Sequence, residues 1–221
     1  CDTHCAVQHF GVRTMPTIAI ISQKGGSGKT TIALHLAASA TQAKQPACVI
    51  DTDPQATAAA WGDWRGDFYP LVVTSPPARL AKTIERAHKQ DEVDVVVIDT
   101  PPHAEAAMRE AIKAADLVLI PSRPRAFDLH ALEAVAEMIE FAGKPAYVVL
   151  NAVPAGATRQ IEEAKETARK FGLRTCPVTF GERADFHRSS ATGEVAAEID
   201  ATGKAAAEAK KLWTWVRKQI S

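Results

Sequence analysis

The chain has 221 residues, 46% of them apolar and 24% charged, with 26 Lys plus Arg against 26 Asp plus Glu. That length supports one sizeable core rather than two, and the composition is that of an ordinary globular protein. Zero net charge excludes bulk electrostatic attraction to nucleic acid, so any basic surface must be a local patch, and no apolar run approaches the roughly 20 residues that span a bilayer.

Residues 1–14 lack the apolar segment of a secretory signal, and Met15 immediately precedes the first clean strand pattern. Residues 1–14 therefore read as a disordered extension and 15–221 as the folded domain. Cys1 and Cys5 could form a chelating pair, but the rest of a metal site is missing; Cys48 and Cys176 lie in apolar or proline-flanked stretches and read as buried thiols. A β-branched run, Thr17–Ser22, leads into Gln23-Lys24-Gly25-Gly26-Ser27-Gly28-Lys29-Thr30-Thr31 and then a helical pattern over Thr31–Ala43. A phosphate site needs backbone N–H groups converging on anionic oxygens, a helix N-terminus behind them and a cation within reach. Strand, glycine-rich loop and helix supply these here, although Gln23 stands where the general P-loop pattern has its first glycine. In such a loop Lys29 neutralises charge between the β- and γ-phosphates, the Thr30 hydroxyl ligates Mg²⁺, and Thr31 reaches the α-phosphate.

The next strand, Ala47–Asp51, ends in Asp51-Thr52-Asp53-Pro54-Gln55. Two carboxylates two residues apart share one side of a continuing strand, at the edge where doubly wound sheets bind ligands; a turn that caps the helix Gln55–Trp64 is compatible with that use. After a strand at Leu71–Thr74 and a helix at Pro77–Lys89, the buried run Val93–Asp99 closes on Asp99 and continues Thr100-Pro101-Pro102. An aspartate in that position can hold Mg²⁺ directly or through water. A helix at Ala104–Ala114, a strand at Leu117–Pro121, a helix at Leu129–Ala142 and a strand at Ala146–Asn151 follow; the amide of Asn151 both donates and accepts, matching an adenine edge. The last third reads as a helix at Thr158–Phe171, a short strand at Thr175–Val178, and helices at 182–190 and 204–220. Continuously apolar strands alternating with helices define an α/β fold, a single doubly wound, mostly parallel sheet flanked by helices.

The loop Lys24-Gly25-Gly26-Ser27-Gly28-Lys29-Thr30-Thr31 is the deviant Walker A motif, and the chain resembles the ParA/MinD group of P-loop ATPases over residues 15–220. The resemblance implies ATP bound by residues 24–31 and by Asn151, which falls at the group's adenine-contacting asparagine. It makes Lys24 a lysine that crosses a homodimer interface to the partner subunit's phosphates. Asp51-Thr52-Asp53-Pro54-Gln55 resembles the first switch, which gives Asp53 the positioning or activation of the attacking water and Asp51 a supporting role near Mg²⁺. Asp99 corresponds to the Walker B carboxylate. Catalysis then rests on Lys24, Lys29 and Asp53, and the metal on Thr30, Asp51 and Asp99.

Within that group, the nitrogenase iron-protein branch is excluded because Cys48 and Cys176 do not match its cluster ligands. The tyrosine-kinase branch is excluded because Tyr69 and Tyr147 are the only tyrosines. Asp53-Pro54-Gln55, Trp61 and Trp64, and the segments Phe180–Phe186 and Gly193–Val195 resemble the short, ParF-like plasmid partition proteins. That class implies ATP-dependent dimerisation, nonspecific DNA binding and a small ParB-like partner that stimulates hydrolysis, in the cytoplasm and on the nucleoid. No helix-turn-helix pattern precedes the loop, so DNA contact would be electrostatic, through Lys204, Lys210, Lys211, Arg217 and Lys218 against Glu208. The same helix can pack Leu212, Trp213, Val216 and Ile220 on the core. Two alternatives share the chemistry: a MinD-like membrane ATPase, with Trp213 and Trp215 in an interfacial tail, and a ParA relative that positions a protein cargo.

Overall fold

Strands that are apolar on both faces need helices on both sides. The computed structural model, which describes residues 15–66, 68–89, 92–189 and 191–220, has that arrangement. The extension expected at 1–14, with Cys1 and Cys5, lies outside the described residues. The chain runs β1 (Thr17–Ile20), α1 (Lys29–Gln42), β2 (Ala47–Asp51), α2 (Thr57–Arg65) and β3 (Leu71–Thr74). A 3₁₀ turn at Pro77–Arg79 leads to α3 (Leu80–His88), β4 (Val95–Asp99), α4 (Glu105–Ala114) and β5 (Leu117–Ser122). There follow α5 (Ala126–His130), α6 (Leu132–Ala142), β6 (Ala146–Leu150), α7 (Thr158–Lys170) and β7 (Arg174–Thr175). Three helices close the chain: α8 (Ala184–Ser189), α9 (Ala196–Ile199) and α10 (Lys204–Gln219).

The strands form one sheet in the order β3-β2-β4-β1-β5-β6-β7, and every pairing is parallel. Alternate residues of each strand feed two cores. Val96, Ile98, Val118 and Ile120 face Met108, Ile112, Leu132 and Ile139 of α4 and α6, whereas Val95, Val97, Leu117 and Leu119 face Ile32, Leu36, Leu212 and Val216 of α1 and α10. Helix α1 is enclosed over most of its circumference, from Ile32 to Ala40, because α2, α10 and the sheet all meet it.

Register decides where the chemistry lies. Asp51 pairs with Asp99, and Ile20 with both Asp99 and Leu119, so the segments after β1, β2, β4 and β5 leave the sheet at one edge. Ser122 pairs with Leu150, which brings Asn151 to the same edge.

Three expectations change in detail. The strand read at Thr175–Val178 is only Arg174–Thr175; Cys176 N–H still bonds Val148 O, but Pro177 has no N–H to continue the ladder. The helix read at Leu129–Ala142 is two helices meeting at Ala131. Helix α2 begins at Thr57 rather than Gln55, and its N-cap is Ala56, in the left-handed region, whose side chain has no capping oxygen.

Candidate nucleotide site

β1 is continued by one bond, Ile21 N–H to Leu119 O, and the chain then turns through the glycine-rich loop into α1. Gly26 and Gly28 have φ of +69° and +96°, which only glycine adopts without strain. A side chain at Gly28 would also collide with the amide of Asn151. That amide explains the close approach: Asn151 Nδ2 donates to Ser27 O at 2.8 Å and braces the loop from β6. Lys29, 7% exposed, folds back across the loop and donates from Nζ to Lys24 O at 3.2 Å. Burial lowers its pKa, opposed by the charges of Asp99 and Asp53.

Thr30 Oγ1 donates to Asp99 Oδ2 at 2.7 Å, and Asp99 Oδ1, fully buried, has no hydrogen-bond partner among the described residues. Burial pushes the Asp99 carboxyl up to about 7, against the Thr30 hydrogen bond and despite Lys29, with Asp51 and Asp53 adding to the rise. A buried carboxylate with an orphaned oxygen is costly unless a cation satisfies it. The Thr30 hydroxyl and Asp99 are hard oxygen donors of the kind Mg²⁺ takes, so the residues present fit that ion. The Ser27 hydroxyl is likewise buried without a partner among the described residues.

The two acidic segments are tied together through backbone. Thr52 donates both its N–H (3.0 Å) and its Oγ1–H (2.8 Å) to the carbonyl of Asp99, and Thr100 Oγ1 donates to Ile20 O at 2.9 Å. Both oxygens of Asp51 are engaged, Oδ1 by Asp53 N–H (2.9 Å) and Oδ2 by Ala59 N–H (3.0 Å). Asp51 thus holds the start of α2 beneath the loop that carries Asp53. Its pKa is raised chiefly by burial, which those bonds oppose. Asp53 is half-buried and accepts Gln55 N–H at 2.9 Å in a local turn. Each acidic segment also contains a non-glycine residue in the left-handed region, Ala56 (φ 51°) and His103 (φ 53°). Such strain, of order 1–3 kcal/mol, clusters in segments that change conformation with a ligand. His103 N–H reaches Gln23 O at 3.2 Å, so the segment after β4 touches the loop itself.

The edge therefore gathers Lys24, Gly25, Gly26, Ser27, Gly28, Lys29, Thr30, Asp51, Asp53, Asp99 and Asn151. Thr31, half-exposed at the head of α1, gives its carbonyl to His35 Nδ1 at 2.8 Å. Sequence reading passed over Thr52 and Thr100, although a repeated signal marks them: a threonine follows the aspartate that closes β2 and the one that closes β4. It also passed over His35, and it singled out Trp61 only for a family resemblance and not for the bonds its indole makes. Buried His35 accepts Ala196 N–H at Nε2 (3.1 Å), and the Trp61 indole N–H lies 3.1 Å from both Ser189 O and Glu194 O. These bonds fasten α1 and α2 to the segment around α8 and α9, and nothing in the local sequence announces them.

A parallel sheet with a glycine-rich loop, an enclosed lysine and a strand-closing carboxylate at its carboxyl edge defines a P-loop nucleotide-binding domain. The CobQ/CobB/MinD/ParA nucleotide binding domain matches residues 18–195. The Maintenance of carboxysome distribution protein A of Halothiobacillus neapolitanus is 30% identical over 202 residues, covering 87% of this chain and 91% of the relative. Protein ParA of Rhizobium radiobacter is 35% identical over 116 residues, 52% of this chain and 51% of the relative. The septum site-determining protein MinD of Pyrococcus horikoshii, solved in complex with Mg-ADP, superposes with a TM-score of 0.72 at 17% identity, covering 92% of this chain and 96% of that one. The chain belongs to the ParA/MinD family of nucleotide-binding ATPases.

Proposed function

We propose that the chain is a Mg²⁺-dependent ATP hydrolase that dimerises on ATP, binds DNA without sequence preference, and is returned to the free state when a partner stimulates hydrolysis. The observation that carries the reading is the meeting of Lys29, Thr30 and Asp99 at one loop, with Asp99 Oδ1 left without a partner among the described residues. Thr30 and Asp99 would hold Mg²⁺, and Asp51 supports that site by fixing the first switch. The ion, when bound, supplies charge neutralisation of the phosphate oxygens. The loop N–H groups from Gly25 to Thr31, with Ser27 and Asn151 behind them, bind and orient the phosphate chain. Lys29 neutralises the β- and γ-phosphates, and Asp53 orients the attacking water. Lys24, at the rim of the loop, contacts the nucleotide of a second copy of the chain. Asn151 serves the site through its amide N–H, which holds Ser27 O and so braces the phosphate loop.

For DNA, support comes from α10. Leu212, Trp213 and Val216 pack inward, while Lys204, Lys210, Lys211, Arg217 and Lys218 are exposed. The helix's one acid, Glu208, is turned to Arg183 (2.7 Å) and Gly181 N–H (3.0 Å), so it does not offset those charges on the outer face. Binding should fall with salt at a log–log slope of about −0.9 per phosphate contacted, and a dimer doubles the contacts. The tail reads poorly as a membrane anchor: Trp213 is 3% exposed and Trp215 packs edge-on against Tyr147 at 4.8 Å. No helix among the described residues is long and apolar enough to cross a membrane.

The cargo is a DNA molecule, segregated with a small ParB-like partner on the nucleoid of the cytoplasm. A second reading, transport of a protein cargo over DNA, is favoured by the carboxysome-distribution relative, which this chain covers over 91% of its length. Gel retardation of nonspecific DNA with ATP, ADP and no nucleotide, run beside sedimentation, tests the switch. ATP-specific retardation together with an ATP-specific mass increase is expected; retardation indifferent to nucleotide would rule it out.

A further inference from the structure

Arg123 lies one residue beyond β5, the strand beside β1, and so leaves the sheet next to the glycine-rich loop. Its backbone is held in a tight turn: its carbonyl accepts Arg125 N–H at 2.8 Å and Ser122 Oγ–H at 3.3 Å. From there the side chain folds over the loop, where Nη2 stands 3.8 Å from the place a Cβ at Gly26 would occupy. The Nε–H is fully buried and has no acceptor among the described residues, and no carboxylate there lies within ion-pair distance of the guanidinium. The loop's own Lys29 differs, with the charges of Asp99 and Asp53 acting on it.

A guanidinium cannot shed its proton to escape this position, and an unpaired cation with a buried donor persists only where an anion completes it. A planar fork of N–H donors suits a phosphate, which takes two parallel charge-assisted bonds from it. The anion the loop is built to hold is the phosphate chain of a nucleotide. Lys24, Gly25 and Gly26 open the loop, at the end where the terminal phosphate lies if Lys29 reaches between the last two.

We propose that Arg123 is a further phosphate-binding residue, donating its Nε–H and one Nη–H to the terminal phosphate of a bound nucleoside triphosphate. The proposal rests on the nucleotide reading of the loop given above. Arg123 then distinguishes triphosphate from diphosphate within one subunit, a task separate from that of Lys24 at a dimer interface. The side chain already lies over the loop with its Nε–H buried, so it has little freedom to lose on binding.

The test is equilibrium binding of fluorescent ATP and ADP analogues, competed with unlabelled nucleotide, to wild type, Arg123→Gln, Arg123→Lys and Lys29→Ala. Arg123→Gln should weaken ATP by about tenfold or more, as loss of a charge-assisted bond does, and ADP by less than about threefold. Retained ADP binding shows that the variant folds. Arg123→Lys, which keeps the charge without the fork, should fall between wild type and Arg123→Gln. Unchanged ATP affinity in Arg123→Gln, or equal losses for ATP and ADP, overturns the assignment. If wild type binds neither nucleotide, or Lys29→Ala binds both as well as wild type, the nucleotide reading fails first and independently of Arg123.

Discussion

Asn151 commits its amide N–H to the carbonyl of Ser27 at 2.8 Å, behind the glycine-rich loop. Replacing it by alanine removes the donor, strands a loop carbonyl in a site where the native side chain is only 8% exposed, and opens space behind Gly28. An unsatisfied buried acceptor costs about 1–3 kcal/mol. Part of that cost falls on folding and part on the loop's readiness to bind, so about 1.4 kcal/mol in binding, or tenfold, is a reasonable share. The brace acts on the phosphate cradle, whatever base is attached. Nucleotide affinity should therefore drop about tenfold for ATP and for GTP alike, leaving their ratio unchanged. Competition binding with the two nucleotides measures that ratio directly. A selective loss of ATP, with GTP affinity kept, would refute the brace as the dominant role and return Asn151 to adenine recognition.

Lys29→Ala should remove useful turnover, since stabilisers of this kind contribute about 3–4 kcal/mol each; steady-state phosphate release reads it. Asp53→Ala should keep ATP binding and ATP-dependent assembly while blocking hydrolysis, and normal turnover would remove Asp53 from the mechanism. Gly28→Ala should abolish nucleotide binding, because φ of +96° and the Asn151 amide both exclude a side chain. His35 supplies a pH test. Burial lowers its pKa to about 4, from an unfolded value of about 6.5, so below 6.5 the unfolded chain binds the extra proton. The stability it contributes is complete above pH 6.5 and is lost as pH falls towards 4, about 2 kcal/mol of it by pH 5. Asp99 has the opposite sign: its raised pKa adds stability as pH falls below about 7, so the wild-type curve alone is ambiguous. Urea unfolding of wild type and His35→Gln from pH 7.5 to 5 should show their stability difference shrinking by that amount; a constant difference would mean that His35 does not titrate as described.

The sheet and the loop were legible because they depend on local pattern. Apolar runs such as Val95–Ile98 fixed the strands, and Gly25 to Thr31 reads as a phosphate cradle from residue types alone. What escaped depends on partners distant in sequence. Asn151 meets Ser27 across 124 positions, and Ala196 meets His35 across 161. No periodicity encodes such bonds. The break at Ala131 also escaped, since Leu129 and Leu132 are both buried and an apolar stripe runs through the junction. Arg123 escaped for a further reason: one basic residue after a strand is ordinary until the loop beside it is seen.

The bonds from Thr52 to Asp99 land on a backbone carbonyl, while Thr30 lands on the side chain of the same residue. One position is therefore both a receptor for whatever fills the phosphate edge and a joint in the chain of contacts leading to α2. From α2, the indole of Trp61 carries that chain to Ser189 and Glu194, on the far side of the same helical layer. These last links use main-chain acceptors, so the side chains of Ser189 and Glu194 can be exchanged without cutting them, whereas Trp61 cannot. The sequence around α8 and α9 can thus vary while that segment stays fastened to α2.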